Sequence, residues 1–494
     1  MANTQVLQQA LAKRQEILQG DSERIQKQHA AGKMTARERV AKLLDEGSFV
    51  ELDVLMSKSE DYAGVVTGYG TVQDRPVYLF AQDFTVHGGA MGQMQSRKIV
   101  KVLEMAMKTG APVVALCDSA GVRVDEGALA MDAYAEVYAH MARMSGVCPM
   151  IALVLGPVCG GAALISQLAD VTIQASDVGT LMVYGPQVVS AVTGETVDAK
   201  ALGGADNVKS QGGVALTCAN EDEALQLTCA LLDLLPGCNA EDAPETDGDD
   251  LNRLLEIEDA QDSQAILSQM ADDGQFIELY AGYGDEIRVA LARLGGRTAG
   301  LVVSNAQISD GELTAQSCGK AARFVRFCDC YSIPVVSFIN STGIQVPKKN
   351  QQAWTMRSAA QLLYAYAEAT TAKVSVIAGN AIGQAYVAMG GKANADITYA
   401  WPGAVISALT KEAAVQVLYE KDLIADKKPA LESRAELEER FANEVADGTV
   451  AAKCGLVDDV ILPAQTRQYV LSALEMLSSK RDSNPPKKHG NLPI

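Results

Sequence analysis

The chain has 494 residues, too many for one ordinary core, so two or more domains are expected. Its 61 acidic residues against 42 basic ones give a formal charge of −19, which argues against nucleic acid and anionic membrane surfaces as partners. No long uncharged apolar run occurs, the ten cysteines are scattered as in a reducing cytoplasm, and the four histidines lie far apart, so no membrane span, disulfide framework or imidazole-built metal site is expected.

The opening "MANTQVLQQALAKRQEILQG" has a polar, helical pattern and lacks the apolar centre of a secretory signal. "TARE" at Thr35–Glu38 is a capping box that starts a further helix. "GVVTGYGTV" and "PVYLFAQDF" form a hairpin around Asp74. A helix is expected from Lys98, with Ile99, Val102, Leu103 and Ala106 at helical spacing. The buried strand "PVVALCD" ends in the turn "DSAG" at Asp118–Gly121. After another helix, "MIALVLG" leads into "GPVCGGAALIS" at Gly156–Ser166, a strand, a glycine turn and a helix of small residues.

The same plan is then written again. "KIVKVLEMAMKTGAPVVALCDSAGV" from Lys98 returns without a gap as "KAARFVRFCDCYSIPVVSFINSTGI" from Lys320. "GPVCGGAALIS" returns as "GNAIGQAYVAM" from Gly379, and the hairpin returns around Gly295-Gly296. The fold class is therefore α/β: two domains related by an internal repeat, over 1–240 and 263–494, each a largely parallel sheet with helices packed on it. Glu241–Asp262, with ten acids and one arginine, reads as an exposed acidic linker.

Two readings of the glycine turn stay open at this point. Bare backbone suits tight packing of strand against helix, and it also exposes first-turn N–H groups that stabilise an anionic oxygen. In parallel sheets ligands gather at the carboxyl ends of strands, so "DSAG" and "NSTG" should face the same crevice as the glycine turns. Ser119 is a nucleophile or a cap, with no histidine at a suggestive place to activate it. His87, in "DFTVHGGAMG", is a general base or a turn residue. Cys117 and Cys159 read as small buried groups. No Walker motif appears, and no Met-Lys-Met biotin attachment site.

These residues resemble the carboxyltransferase subunits of biotin-dependent acyl-CoA carboxylases and decarboxylases. The motifs are "GKMTARERVAKLLDEGSFVELD", "FAQDFTVHGG", "GPVCGGAA", "VTGETV", "LLYAYAEAT", "YAWPGA" and the tail "PPKKHGNLPI". The resemblance implies a pair of crotonase-like domains, the first binding acyl-CoA and the second binding biotin, with sites shared between subunits of a hexamer (a trimer of dimers). It implies that amides at Gly160, Gly161 and Ala162 hold the thioester oxygen, and that amides at Gly383, Gln384 and Ala385 hold the ureido oxygen of biotin. Ser119, Ala120, Gly121 and Arg123, with Thr342, Gly343 and Val387, would line the substrate sites. Biotin would ride on a separate carrier protein, a coenzyme A thioester would be the substrate, and no metal is implied. The further partner would be a biotin carboxylase or a sodium-pumping membrane decarboxylase subunit, which leaves this chain cytoplasmic or peripheral at the membrane. The chain departs from the family pattern at Gln384, where a second glycine is usual, and at "STGI" over Ser341–Ile344, where "VPGF" is usual. Two rivals predict different behaviour: a biotin-independent crotonase-fold hydratase or decarboxylase, and an inactive scaffold subunit.

Overall fold

The computed structural model describes residues 2–58, 61–257, 259–345, 352–425 and 430–493. Polar helices come first: α1 (Ala2–Gln19), α2 (Ser22–Ala30) and α3 (Ala36–Leu43). Thr35 caps α3 through the expected box, its side chain accepting from the Glu38 N–H while Glu38 reaches back to the Thr35 N–H.

The first sheet contains β1 (Val50–Glu51), β2 (Val65–Val72), β3 (Arg75–Gln82), β4 (Val113–Ser119), β5 (Met150–Cys159), β6 (Val171–Ala175), β7 (Thr180–Met182) and β8 (Leu216–Cys218). Its order is β1-β2-β3-β4-β5-β6-β8, with β7 also on β5. β1, β2 and β3 pair antiparallel, and every later pairing is parallel. The expected hairpin closes with Val72 opposite Arg75, and Gln73 and Asp74 both take positive φ, the conformation a two-residue turn of this hand requires. The crossovers are α4 (Gln93–Thr109), α5 (Ala128–Met144) and α6 (Gly161–Leu168), and α7 (Glu221–Leu234) follows β8.

The second sheet repeats this plan with β9 (Phe276–Leu279), β10 (Ile287–Leu294), β11 (Arg297–Ser304), β12 (Val335–Ser341), β13 (Lys373–Ile382), β14 (Ile397–Ala400), β15 (Val405–Ser407) and β16 (Asp459–Val460). The order is β9-β10-β11-β12-β13-β14-β16, with β15 on β13. Its helices include α8 (Ser263–Met270), α9 (Ala315–Cys330), α10 (Gln352–Glu368), α11 (Gln384–Ala388) and α12 (Thr466–Leu477). All seven residues of β4 and of β12 are buried, as their continuous apolar runs require.

The chain divides into two compact units, Met1–Asp242 and Ala243–Ile494. Most of the described residues of the acidic stretch are exposed, and the stretch is also anchored. From residue 243 it packs with the second unit: the Thr246 N–H donates to the Gly296 carbonyl, Leu255 is buried, and Arg467 donates to the Asp250 carbonyl. Like-charged residues tolerate this because Arg253 and Arg467 lie among them, against Asp249 and Asp272. The helices expected from Lys98 and Lys320 begin earlier, at Gln93 and Ala315. Glu126 accepts the first N–H of α4, and Thr314 with Ser317 forms a capping box on α9.

Lys98 and Lys320, equivalent in the repeat, are both buried, and burial pulls each down to about 8. Lys98 donates to the Val65 carbonyl at 2.7 Å, whereas the Lys320 ammonium meets no hydrogen-bond acceptor among the described residues and its Asp285 neighbour lies 3.6 Å away. Between about 8 and 10.5 the unfolded chain binds more protons at these positions than the fold does, so their contribution to stability rises with pH. Lys320→Met should therefore stabilise the protein at pH 7 by about 1–3 kcal/mol, with the gain shrinking towards pH 10. Lys98→Met should be destabilising because it orphans the Val65 carbonyl. Thermal melts of both variants across this pH range check the pair.

Candidate active site at the glycine turns

β5 and β13 change partner midway. Ile151–Val154 pair with β6 and Pro157–Cys159 with β7; Val374–Ile377 pair with β14 and Asn380–Ile382 with β15. Beside them β4 and β12 shift register, between Cys117 and Ser119 and between Ile339 and Ser341. Gly156 and Gly379 stand at this step, where a Cβ would lie 2.1 Å from Asp118 Oδ1 and 2.5 Å from Asn340 Oδ1. Their bareness answers to packing.

The next glycines answer to conformation. Gly160 (φ 59, ψ −127) and Gly383 (φ 57, ψ −132) cap α6 and α11 with nearly identical backbones in a region that side chains avoid. Their own N–H groups are taken by the Met182 and Ser407 carbonyls, at 3.1 and 2.7 Å. The capping glycines have no side chain with which to cap either helix. The N–H groups of Gly161 and Ala162, and of Gln384 and Ala385, are therefore first-turn donors left over by the backbone ladder. Of the expected donors, Gly160 and Gly383 set geometry and the residues after them carry the N–H groups. Two residues further on, Leu164 (47% exposed) and Val387 (37% exposed) place matching apolar side chains at the surface of the two helices.

The preceding turns lie against these. A Cβ on Gly121 (φ 114) would be 3.3 Å from the Cys159 carbonyl, and one on Gly343 (φ 135) 4.0 Å from the Ile382 carbonyl. Their amides are used internally. Ala120 N–H donates to Gly88 and Thr342 N–H to Asp310, while Gly121 and Gly343 donate to the hydroxyls of Ser119 and Ser341. Ser119 donates in turn to the Gly89 carbonyl at 2.8 Å, a structural use that leaves no base to activate it. Arg123 forms a two-pronged pair with Asp125, and the guanidinium holds that carboxyl down at about 2. His87 is an exposed turn residue at φ 51, and its counterpart in the repeat, Ser309, sits at φ 47. Burial pushes the Cys117 thiol up to about 12 and raises Cys159 as well, so neither is a poised nucleophile.

Two features escaped the sequence. The first is a tyrosine pair on α5. Tyr138 donates to the Gly161 carbonyl at 2.9 Å, and Tyr134 donates to the Gly121 carbonyl at 2.8 Å with its hydroxyl facing the Ala162 N–H. Burial raises both phenols, Tyr138 to about 12, so they remain neutral donors. Their i, i+4 spacing on an otherwise apolar face was the available signal. The second is a buried ion cluster. Asp118 accepts from Lys33 at 2.8 Å, Arg39 at 2.9 Å and Gln28 at 3.2 Å, and Arg39 also pairs with Glu221 at 2.5 Å. Burial lowers Lys33 despite Asp118 beside it. Asn340 takes the place of Asp118 in the second unit, accepting from the Asn380 N–H and donating to the Ala260 carbonyl.

Residues 27–492 match the carboxyl transferase domain family. The chain belongs to that family. It is 40% identical to the methylmalonyl-CoA decarboxylase subunit alpha of Veillonella parvula, over 96% of each chain. It is 39% identical to the propionyl-CoA carboxylase beta chain of Saccharopolyspora erythraea, over 97% of this chain and 94% of that one. Its backbone matches the transcarboxylase 12S structure, a hexamer solved with methylmalonyl-coenzyme A and methylmalonic acid bound, at a TM-score of 0.95 and 36% identity, covering 99% of this chain and 98% of that chain. The family resemblance and the pair of crotonase-like domains are thereby borne out. Among the described residues of this carboxyltransferase, no helix is long and apolar enough to cross a membrane, and no group of three or more His, Cys, Asp or Glu is placed to hold a metal.

Asp118→Ala leaves Lys33 and Arg39 short of a carboxylate inside the first unit and should lower its stability by about 3–5 kcal/mol. Asn340→Ala removes only neutral hydrogen bonds and should lower the second unit's stability by about 1–3 kcal/mol. Urea denaturation of the two variants, followed by limited proteolysis to tell the units apart, checks the ranking.

Proposed function

We propose that this chain is a carboxyltransferase subunit that moves a carboxyl group between a short-chain acyl-CoA of the methylmalonyl-CoA and propionyl-CoA type and biotin carried on a separate protein. The observation that carries this reading is the pair of conformationally matched donor turns, Gly161-Ala162 and Gln384-Ala385, in a chain of the carboxyl transferase family. The named activities of its relatives support the substrate class.

The first unit takes the acyl-CoA. Gain or loss of a carboxyl group at the α-carbon places negative charge on the thioester oxygen. The preorganised N–H donor at Gly161 favours that charge without having to reorganise, and one such donor is worth about 3–4 kcal/mol; the adjacent Ala162 N–H faces Tyr134 and fixes the turn. The second unit takes biotin. Neutral N–H donors at Gln384 and Ala385 suit a ureido carbonyl oxygen, and Val387 offers apolar cover beside them, so the residues present fit the group. When bound, biotin supplies the nitrogen that carries the carboxyl group. Gln384 and Ala385 orient its carbonyl, and Gly383 holds the turn in the one conformation that presents both N–H groups.

The partner is a biotin carrier, served by either a biotin carboxylase or a membrane decarboxylase subunit, and the assembly is a hexamer like that of transcarboxylase 12S.

The purified chain should show no avidin-reactive biotin of its own. It should move label from carboxyl-labelled methylmalonyl-CoA only when free biotin or a biotinylated carrier is added. Turnover in avidin-treated protein without a carrier would instead favour biotin-independent chemistry. Proline removes an N–H yet is tolerated in a first helical turn. Ala162→Pro and Ala385→Pro should each reduce transfer about a hundredfold, with retained fold by circular dichroism. Retained activity in both would remove the donor turns from the mechanism.

A further inference from the structure

The two donor turns share a backbone but not a support. The buried face of α5 (Ala130, Ala133, Tyr134, Val137, Met141) aligns with that of α10 (Thr355, Ser358, Ala359, Leu362, Tyr366). In this alignment Ala359 stands where Tyr134 does, and Leu363 where Tyr138 does. The consequence is visible one residue after each capping glycine. A Cβ on Gly161 would lie 2.6 Å from the Tyr134 ring, so that position has to be glycine, whereas the second unit carries an exposed Gln384 there.

The hydroxyls act on a single peptide group. The Gly161 carbonyl and the Ala162 N–H belong to one planar trans unit and point in opposite directions. Tyr138 donates to the carbonyl end, and the Tyr134 hydroxyl faces the N–H end while giving its own proton to Gly121. The rings lie 5.8 Å apart on one rigid helix, so the plane is clamped from both sides. Rotation of this plane would swing the Gly161 N–H away from its bearing, because Gly161 is the pivot between the two peptides. Donation into the carbonyl also polarises the amide and strengthens its N–H.

We infer that Tyr138 and Tyr134 are positioning residues for the acyl-CoA side of the reaction, locking the Gly161–Ala162 peptide so that the first unit's donors meet the thioester oxygen as it becomes charged. This rests on the proposed assignment of acyl-CoA to the first unit. Among the described residues the second unit has no such clamp. The effect is therefore one-sided, acting on the acyl-CoA half of the exchange and on charge development in preference to ground-state binding.

The test is Tyr138→Phe in the full chain, with Tyr134→Phe as a second variant. Both keep the ring and lose only the hydroxyl. Transfer from methylmalonyl-CoA to free biotin should fall about tenfold in kcat for Tyr138→Phe. The Kd for propionyl-CoA by calorimetry and the KM for free biotin should each stay within about twofold, as befits an interaction that matters only when charge develops. Leu363→Ala, at the equivalent place in the second unit, should leave kcat within about twofold. Wild-type kcat in both tyrosine variants overturns the inference. So does a loss in kcat matched by an equal rise in propionyl-CoA Kd, because that is the signature of a collapsed pocket. If the wild-type chain moves no carboxyl group between methylmalonyl-CoA and biotin, the functional reading itself falls and takes the inference with it, an outcome distinct from an active wild type with unaffected variants.

Discussion

Asp118 is a carboxylate shut away from water, and the first unit is arranged around keeping it charged. Gln28 and Lys33 reach it from α2 and the segment after it, and Arg39 reaches it from α3. Arg39 is itself fully buried and continues to Glu221 on α7 and to the Leu155 carbonyl on β5. Four stretches far apart in sequence thus meet at the carboxyl end of β4. Desolvating these groups is unfavourable by itself, and only their mutual pairing offsets it, so none can leave without stranding another. The cluster also explains Gly156: the strand beside Asp118 has no room for a side chain because Asp118 and Lys33 already occupy it.

The second unit reaches the same backbone by other electrostatics. Asn340 replaces the charged anchor with neutral hydrogen bonds, and Gly379 is bare for the same steric reason as Gly156. The buried cation moves to the opposite flank of the chain, where Arg467 at the start of α12 binds Asp272 and the Met270 and Asp250 carbonyls. Duplication has preserved the strand order, the turn conformations and the bare pairs Gly156/Gly379 and Gly160/Gly383. It has kept the buried lysines Lys98 and Lys320 but not the buried carboxylate at Asp118.

The sequence exposed the repeated elements because hairpins, apolar strands and glycine turns are local signals that recur at fixed offsets. It placed the starts of α4 and α9 too late, since one of them is set by Glu126, a residue thirty-odd positions downstream that accepts the Gln93 N–H. Composition spoke correctly for the exposure of most of the acidic stretch, but its docking could not be read, because the arginine that meets it, Arg467, lies more than two hundred residues away. The glycine turns were named from the motif, but that Gly160 and Gly383 bend the chain while the residues after them hold the first-turn N–H groups needed the backbone angles. The tyrosine pair was hidden by its own ambiguity: on a helix face, Tyr134 and Tyr138 are indistinguishable from ordinary core aromatics until their hydroxyls are seen on Gly121 and Gly161.

Leu164 and Val387 occupy the same place on two helices whose first turns carry N–H groups outside the backbone ladder. A hydrogen-bond donor in open water is largely screened, because solvent dipoles answer any charge placed before it. Hydrocarbon has no such response. An oxygen resting on these donors would feel their field with one flank shielded by a leucine or a valine, in a medium of lower effective permittivity, where the same N–H group attracts charge several-fold more strongly. Polar substitutions at these two positions would thus weaken the local field while leaving every donor in place, which makes the aliphatic neighbours part of the electrostatics.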